Sequence, residues 1–150
     1  TPLQLANMAA AIGNEGYYYP PHLIKSFDDG TPIDSNMTTK RVIDIKAKHF
    51  KDVKVGMCRV FEGNHGTARF SKIDSIQVAG KTGTAENPHG DDHSLFMGFA
   101  PADNPKIAIA VVVENAGFGS QWAAPIASLM IEKYLRGYIK DKNREKRFLE

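Results

Sequence analysis

The stretch Val78-Ala79-Gly80-Lys81-Thr82-Gly83-Thr84-Ala85, read together with residues 86–113, restricts the fold of this chain more than any other segment. A strand-like run at 76–79 leads into a lysine, two threonines and two glycines. Glycine has no Cβ to hold a ligand off the backbone, and lysine and threonine add a positive charge and hydroxyl donors. Residues 83–90 read as a loop or hairpin end. Residues 94–101 and 107–113 then form two further strand-like runs, separated by the turn Ala102-Asp103-Asn104-Pro105. Consecutive strands joined by short, turn-rich connections make an antiparallel meander whose first strand carries Lys81. In the last run, Ile107, Ile109, Val111 and Val113 share one face, and Ala108, Ala110 and Val112 share the other. A strand apolar on both faces belongs inside a covered sheet.

Helices are expected on either side of these strands. Thr1 can cap a helix with Pro2 at its first position. Leu5, Met8, Ala9 and Ile12 fall on one face, and Gly13 or Gly16 ends it. Pro20-Pro21 breaks the pattern, after which residues 22–27 read as a strand before the turn Asp28-Asp29-Gly30. Residues 31–40 read as loop and 41–45 as a short strand. Phe50, Val53, Met57, Val60 and Phe61 recur at helical spacing up to Gly63. A last helix is expected over 123–138, with Pro125 tolerated in its first turn. Phe118 and Trp122 are expected to pack it against the sheet. Tyr17-Tyr18-Tyr19 reads as a wedge holding a loop on the domain. His65 reads as a turn residue, and residues 140–147 as a charged, frayed tail.

Gly80-Lys81-Thr82 also matches the second half of the phosphate-binding pattern G-x-x-x-x-G-K-[ST]. Ser75 stands where the first glycine is required, and no helix pattern comes after the lysine to aim its N-terminus at a phosphate. The alternative is an extended ligand with a carboxylate lying beside the strand. K-T-G-T-A-E followed by F-M-G-F-A-P resembles the K-T-G element of penicillin-recognising serine enzymes. The opening Thr1-Pro2-Leu3-Gln4-Leu5-Ala6, the segment His65-Gly66-Thr67-Ala68 and Ala123-Ala124-Pro125 strengthen the likeness. Over residues 1–136 the chain resembles the C-terminal part of the transpeptidase domain of class B penicillin-binding proteins, of the elongation type.

The resemblance implies an α+β fold: an antiparallel sheet meander with flanking helices, the C-terminal portion of a penicillin-binding and serine β-lactamase-like transpeptidase. Residues 1–139 would belong to that domain, and 140–150 form a charged tail. An extended peptide ending in D-Ala-D-Ala would add itself beside the K-T-G strand. The backbone N–H of Thr84 would be an oxyanion-hole donor, and the hydroxyls of Thr82 and Thr84 would hold the terminal carboxylate of the peptide or of a β-lactam. Lys81 would supply positive potential and polarise the serine of an S-x-N element, and Gly83 would leave room for the acyl group. The far edge of strand 107–113 would pair with N-terminal strands of the domain. Without them it is expected to expose an adhesive edge and to associate.

The nucleophile of such enzymes is a serine with lysine one helical turn later. None of Ser26, Ser35, Ser71, Ser75, Ser94, Ser120 or Ser128 has lysine three residues on, or asparagine two residues on. The chain is therefore expected to be a remnant of a longer protein, its N-terminal part missing, and inactive alone. The implied partners are the stem peptide, β-lactams and a cell-elongation complex containing a glycosyltransferase. The implied location is the periplasmic face of the inner membrane, with the single membrane anchor outside this chain. A catalytically silent domain holding a peptide or protein partner on the same strand is the alternative function. An S-x-x-K upstream would distinguish the two.

Composition agrees with one globular unit: 150 residues, 42% apolar. A net charge of +2 is too small to argue for nucleic acid. No signal peptide or bilayer-length apolar run is visible, and the single cysteine, Cys58, excludes an internal disulfide. His89, Asp91, Asp92 and His93 have the donor types for zinc, but a Gly- and Pro-containing loop is polar anyway. No metal and no cofactor are expected.

Overall fold

The computed structural model describes residues 1–149. Its first helix, α1 (Pro2–Gly13), starts at a capping box. The Thr1 hydroxyl accepts from the Gln4 N–H at 3.3 Å, and the Gln4 side chain accepts from the Thr1 ammonium at 2.8 Å. Its fully buried residues are Ala9, Ala11 and Gly13, whereas Met8 is exposed and Leu5 and Ile12 are half-buried. The buried stripe is thus rotated towards the small residues, which lets the helix backbone approach the sheet. A Cβ on Gly13 would lie 3.1 Å from the ring of Phe99.

The segment after α1 differs from the sequence expectation. Strand β1 (Tyr17–Tyr18) pairs with β2 (Arg41–Val42), antiparallel. Residues 22–27 form no strand, because β1 and β2 already pair with each other and Leu23 is left in solvent. The expected turn does form, with the Gly30 N–H on the Phe27 carbonyl and Gly30 at φ +76°. Inside the loop, a one-turn helix α2 (Ser35–Thr38) is capped by the Asp34 carboxylate. Tyr17 and Tyr19 meet edge to face, with Lys40 Nζ 4.0 Å from the Tyr17 ring centroid.

Helix α3 (Ala47–Glu62) buries Phe50, Met57 and Phe61 and stops at Gly63. A 3₁₀ turn (Arg69–Ser71) and a tight reversal come next, in which Ser75 adopts φ +60°. That reversal is why no strand runs over 76–78. The first meander strand is β3 (Ala79–Ala85), so Lys81, Thr82, Gly83 and Thr84 lie within it. The loop begins only after Ala85. β4 (His93–Ala100) and β5 (Ile107–Val113) complete an antiparallel sheet of order β3-β4-β5.

Register and the two-residue period assign the faces. Phe96, Ile109 and Val111 lie against Phe61 of α3 and Ala123, Ala124, Ala127 and Ile131 of α4 (Ala123–Arg136). Ala79, Phe99, Met97 and Ala108 lie against Ala9 and Ile12 of α1 and Met57 of α3. Helices α1 and α4 both pack on β5, which explains a strand apolar on both faces. Helix α4 closes at Gly137 in the left-handed conformation, φ +81°.

Two expectations at this end of the chain are corrected. Phe118 and Trp122 are exposed, not core, because the small residues Ala123, Ala124 and Ala127 make the close contact with the sheet. The tail is helical: Asp141 caps α5 (Lys142–Arg147). Arg144 ties this helix down by donating to the carbonyls of Phe70 and Lys72, 3.2 Å each, and Phe148 packs edge-on to Trp122.

Candidate functional site

Lys81, Thr82, Gly83 and Thr84 occupy an outermost strand, since β3 pairs with β4 and, among the described residues, with no strand beyond. Their side chains do not behave alike. Lys81 and Thr84 are exposed, Gly83 is half-buried and Thr82 is buried. The Thr82 hydroxyl lies 2.7 Å from that of Thr67. The Lys81 ammonium donates to the Thr82 carbonyl at 2.5 Å. A strand carbonyl taken by a side chain faces away from the ladder, so Thr82 presents its backbone to the open edge. Antiparallel alternation turns the N–H of Thr84 to the same side.

Glycine is required around this strand for packing on both sides. A Cβ on Gly80 would fall 2.3 Å from the Phe96 ring, and one on Gly119 would fall 2.3 Å from the Leu95 carbonyl and 2.4 Å from that of Gly83. Gly119 is therefore seated directly on the backbone of the K-T-G strand. Ser94 fixes that seat, because its hydroxyl donates to the Phe118 carbonyl and accepts from the Ala123 N–H, 3.0 Å each. By contrast, a Cβ on Gly83 would meet only Leu95 Cβ, at 3.4 Å, so space is open there.

Sequence reasoning brings together the four strand residues but misses Thr67. Its segment H-G-T-A stands out only as part of a likeness, and the contact spans fifteen residues of chain. His65 is an exposed turn residue. The polar loop braces the hairpin: the Asp92 carboxylate accepts from the Asn87 N–H, Asn87 donates to Asn115, and His93 Nδ1 accepts from the Asn115 N–H. Among the described residues no group of three or more His, Cys, Asp or Glu is placed to hold a metal. Lys81 opens no helix, so a phosphate cradle is not formed. Burial raises the pKa of the Cys58 thiol, which keeps it protonated. An apolar groove of about 540 Å³, lined by Leu129, Met130, Tyr134 and Phe148, lies on α4 and α5, apart from these residues.

Comparison with known proteins bears on the family and the fold. Residues 1–132 match the penicillin binding protein transpeptidase domain family. The chain is 34% identical to peptidoglycan D,D-transpeptidase MrdA of Haemophilus influenzae, an alignment covering 90% of this chain and 24% of that protein. It is 36% identical to peptidoglycan D,D-transpeptidase PbpA of Mycolicibacterium smegmatis, covering 91% and 29%. Among solved structures it superimposes on Pseudomonas aeruginosa PBP2 in complex with WCK 5153 with a TM-score of 0.79 and 39% identity, covering 95% of this chain and 31% of that one. The imipenem acyl-enzyme complex of penicillin-binding protein A from M. tuberculosis gives 0.74 and 32%, covering 91% and 31%. The chain thus spans about a quarter of the length of these curated relatives. It belongs to the penicillin-binding protein transpeptidase domain family.

Proposed function

We propose that this chain supplies one wall of the active site of a peptidoglycan D,D-transpeptidase, the wall on which the substrate's C-terminal end docks. The observation that carries this reading is an outer strand whose far edge has no strand partner among the described residues, flanked by the exposed side chains of Lys81 and Thr84. A peptide ending in D-Ala-D-Ala adds itself to that edge through main-chain hydrogen bonds. The Thr84 N–H donates to the developing oxyanion, and the threonine hydroxyls take the terminal carboxylate. The Lys81 ammonium raises the local positive potential. A serine outside this chain, activated by a lysine one turn later, attacks the penultimate carbonyl and expels D-alanine. A second stem-peptide amine then takes the acyl group, completing the cross-link. β-Lactams enter as acylating analogues of the same substrate.

Relatives named as peptidoglycan D,D-transpeptidases support this reading, as does a relative solved as an imipenem acyl-enzyme. The polymer they act on lies outside the cytoplasmic membrane, so the proposed location is the periplasmic face of the inner membrane. The proposed partner is an elongation complex containing a glycosyltransferase. No described helix is long and apolar enough to cross a membrane. Fluorescent penicillin tests the proposal: the full-length natural polypeptide becomes labelled and residues 1–150 alone do not. An unlabelled full-length protein carrying an intact S-x-x-K leaves only a silent, ligand-holding role.

A further inference from the structure

Thr67 and Thr82 share a hydrogen bond of 2.7 Å, and one difference between them decides how the pair works. Thr82 is only 7% exposed, whereas Thr67 is open to solvent. Each hydroxyl carries one proton and two lone pairs. One proton is committed between the two oxygens, so the pair retains one to offer elsewhere. If Thr82 donates to Thr67, the buried hydroxyl is satisfied and the remaining proton belongs to the exposed residue. The reverse orientation leaves the proton of the buried hydroxyl to find another acceptor, at a desolvation cost. An anion arriving from solvent therefore meets Thr67 as the donor, with Thr82 behind it.

We infer that Thr67 is itself a carboxylate-binding residue of the proposed site: its hydroxyl, oriented by Thr82, donates to the terminal carboxylate of the stem peptide or of a β-lactam. This inference rests on the transpeptidase reading. It divides between two residues the role that the K-T-G likeness assigns to Thr82, and it gives the H-G-T-A segment a chemical task. The ligand carboxylate is then held between the Thr67 hydroxyl and the exposed hydroxyl of Thr84, within the field of Lys81.

The test compares acylation of the full-length polypeptide by benzylpenicillin with acylation by its methyl ester, which lacks the anion. Thr67→Val is expected to slow acylation by the acid about tenfold to a hundredfold, the scale of a hydrogen bond to a charged group, and to leave the ester rate unchanged. Thr67→Ser, which keeps the hydroxyl, is expected to restore the acid rate. Equal losses for acid and ester would mean that Thr67 merely supports the strand, and would overturn the inference. So would a Thr67→Val protein with the wild-type acid-to-ester ratio, alongside a Thr82→Val protein that loses it. Wild-type protein that reacts with neither compound would overturn the transpeptidase reading itself. Wild-type acylation with an unchanged ratio in Thr67→Val overturns only this inference.

Discussion

The two outer strands of the sheet, β3 and β5, solve the same problem in opposite ways. Both lack a ladder partner on one side among the described residues. β5 is aliphatic throughout and lies between helices α1 and α4, which bury Ile109 and half-bury the other six side chains, while its backbone edge stays open in the plane of the sheet. Such an edge suits a permanent further strand. β3 carries Lys81 and Thr84 in solvent and glycine at two positions, features that discourage permanent strand pairing. They leave its backbone accessible to a guest that comes and goes. On the proposed function, one of the two edges in this sheet would serve the rest of a fold and the other a ligand.

The sharpest way to break this contrast is Thr84→Pro, which removes the outward N–H without touching the ladder to β4. In the full-length protein, acylation by penicillin is expected to fall at least about a hundred- to a thousandfold, the effect of losing one oxyanion donor, since the Thr84 hydroxyl is lost with it. An unchanged circular dichroism spectrum would separate this from unfolding, and an unchanged acylation rate would deny the edge its catalytic role. Gly119→Ala presses on the same strand from behind, against the carbonyls of Leu95 and Gly83. A loss of about 1–3 kcal/mol is expected in urea unfolding, as for other overpacked sites. On the opposite edge, residues 1–150 alone are expected to self-associate in sedimentation velocity, and Val112→Lys to shift them towards monomer. A strict monomer at high concentration would show that β5 does not behave as an open edge.

The smallest expected effect concerns the tail. The hydrogen bond from Lys140, with its charge, holds the Asp74 carboxyl below its ordinary value of 3.8. A depressed folded-state pKa contributes stability that is fully present above 3.8 and is lost as the pH falls through the lowered value. Both groups are exposed, so screening keeps the effect slight. Amide hydrogen exchange over 142–147, corrected for its intrinsic pH dependence, should be flat from neutral pH down to about 4 and faster below. Asp74→Asn should show the faster exchange already at neutral pH, with no change at either sheet edge.

Much of this architecture is legible from local pattern. The helix beginning at Thr1-Pro2, the helix through Phe50, Met57 and Phe61, and the order of the meander come from caps, spacing and turn residues. The failures have physical causes. Residues 22–27 have strand composition, but β propensity counts only where a partner ladder exists. Local pattern places the start of β3 too early because the left-handed Ser75 reverses the chain, and serine does not advertise that conformation as glycine would. The tail helix has a readable signal in Asp141, whose carboxylate accepts from the Arg144 N–H, but a run of charges reads equally as a frayed end. The Thr67 to Thr82 contact has no local signal, because folding alone brings those hydroxyls together. At the site, the residue types are legible and their orientations are not: that Thr82 turns inward depends on α3 and the segment after it.

The bond between Lys81 and the carbonyl of Thr82 has a consequence for how a ligand enters. In the proposed docking, the amine at rest is moored to the very acceptor that an incoming peptide would need for its own N–H. Docking must cast that mooring off, and the freed ammonium can then swing towards whatever negative charge the visitor brings. Admission of the guest and arming of the lysine are in this way a single exchange.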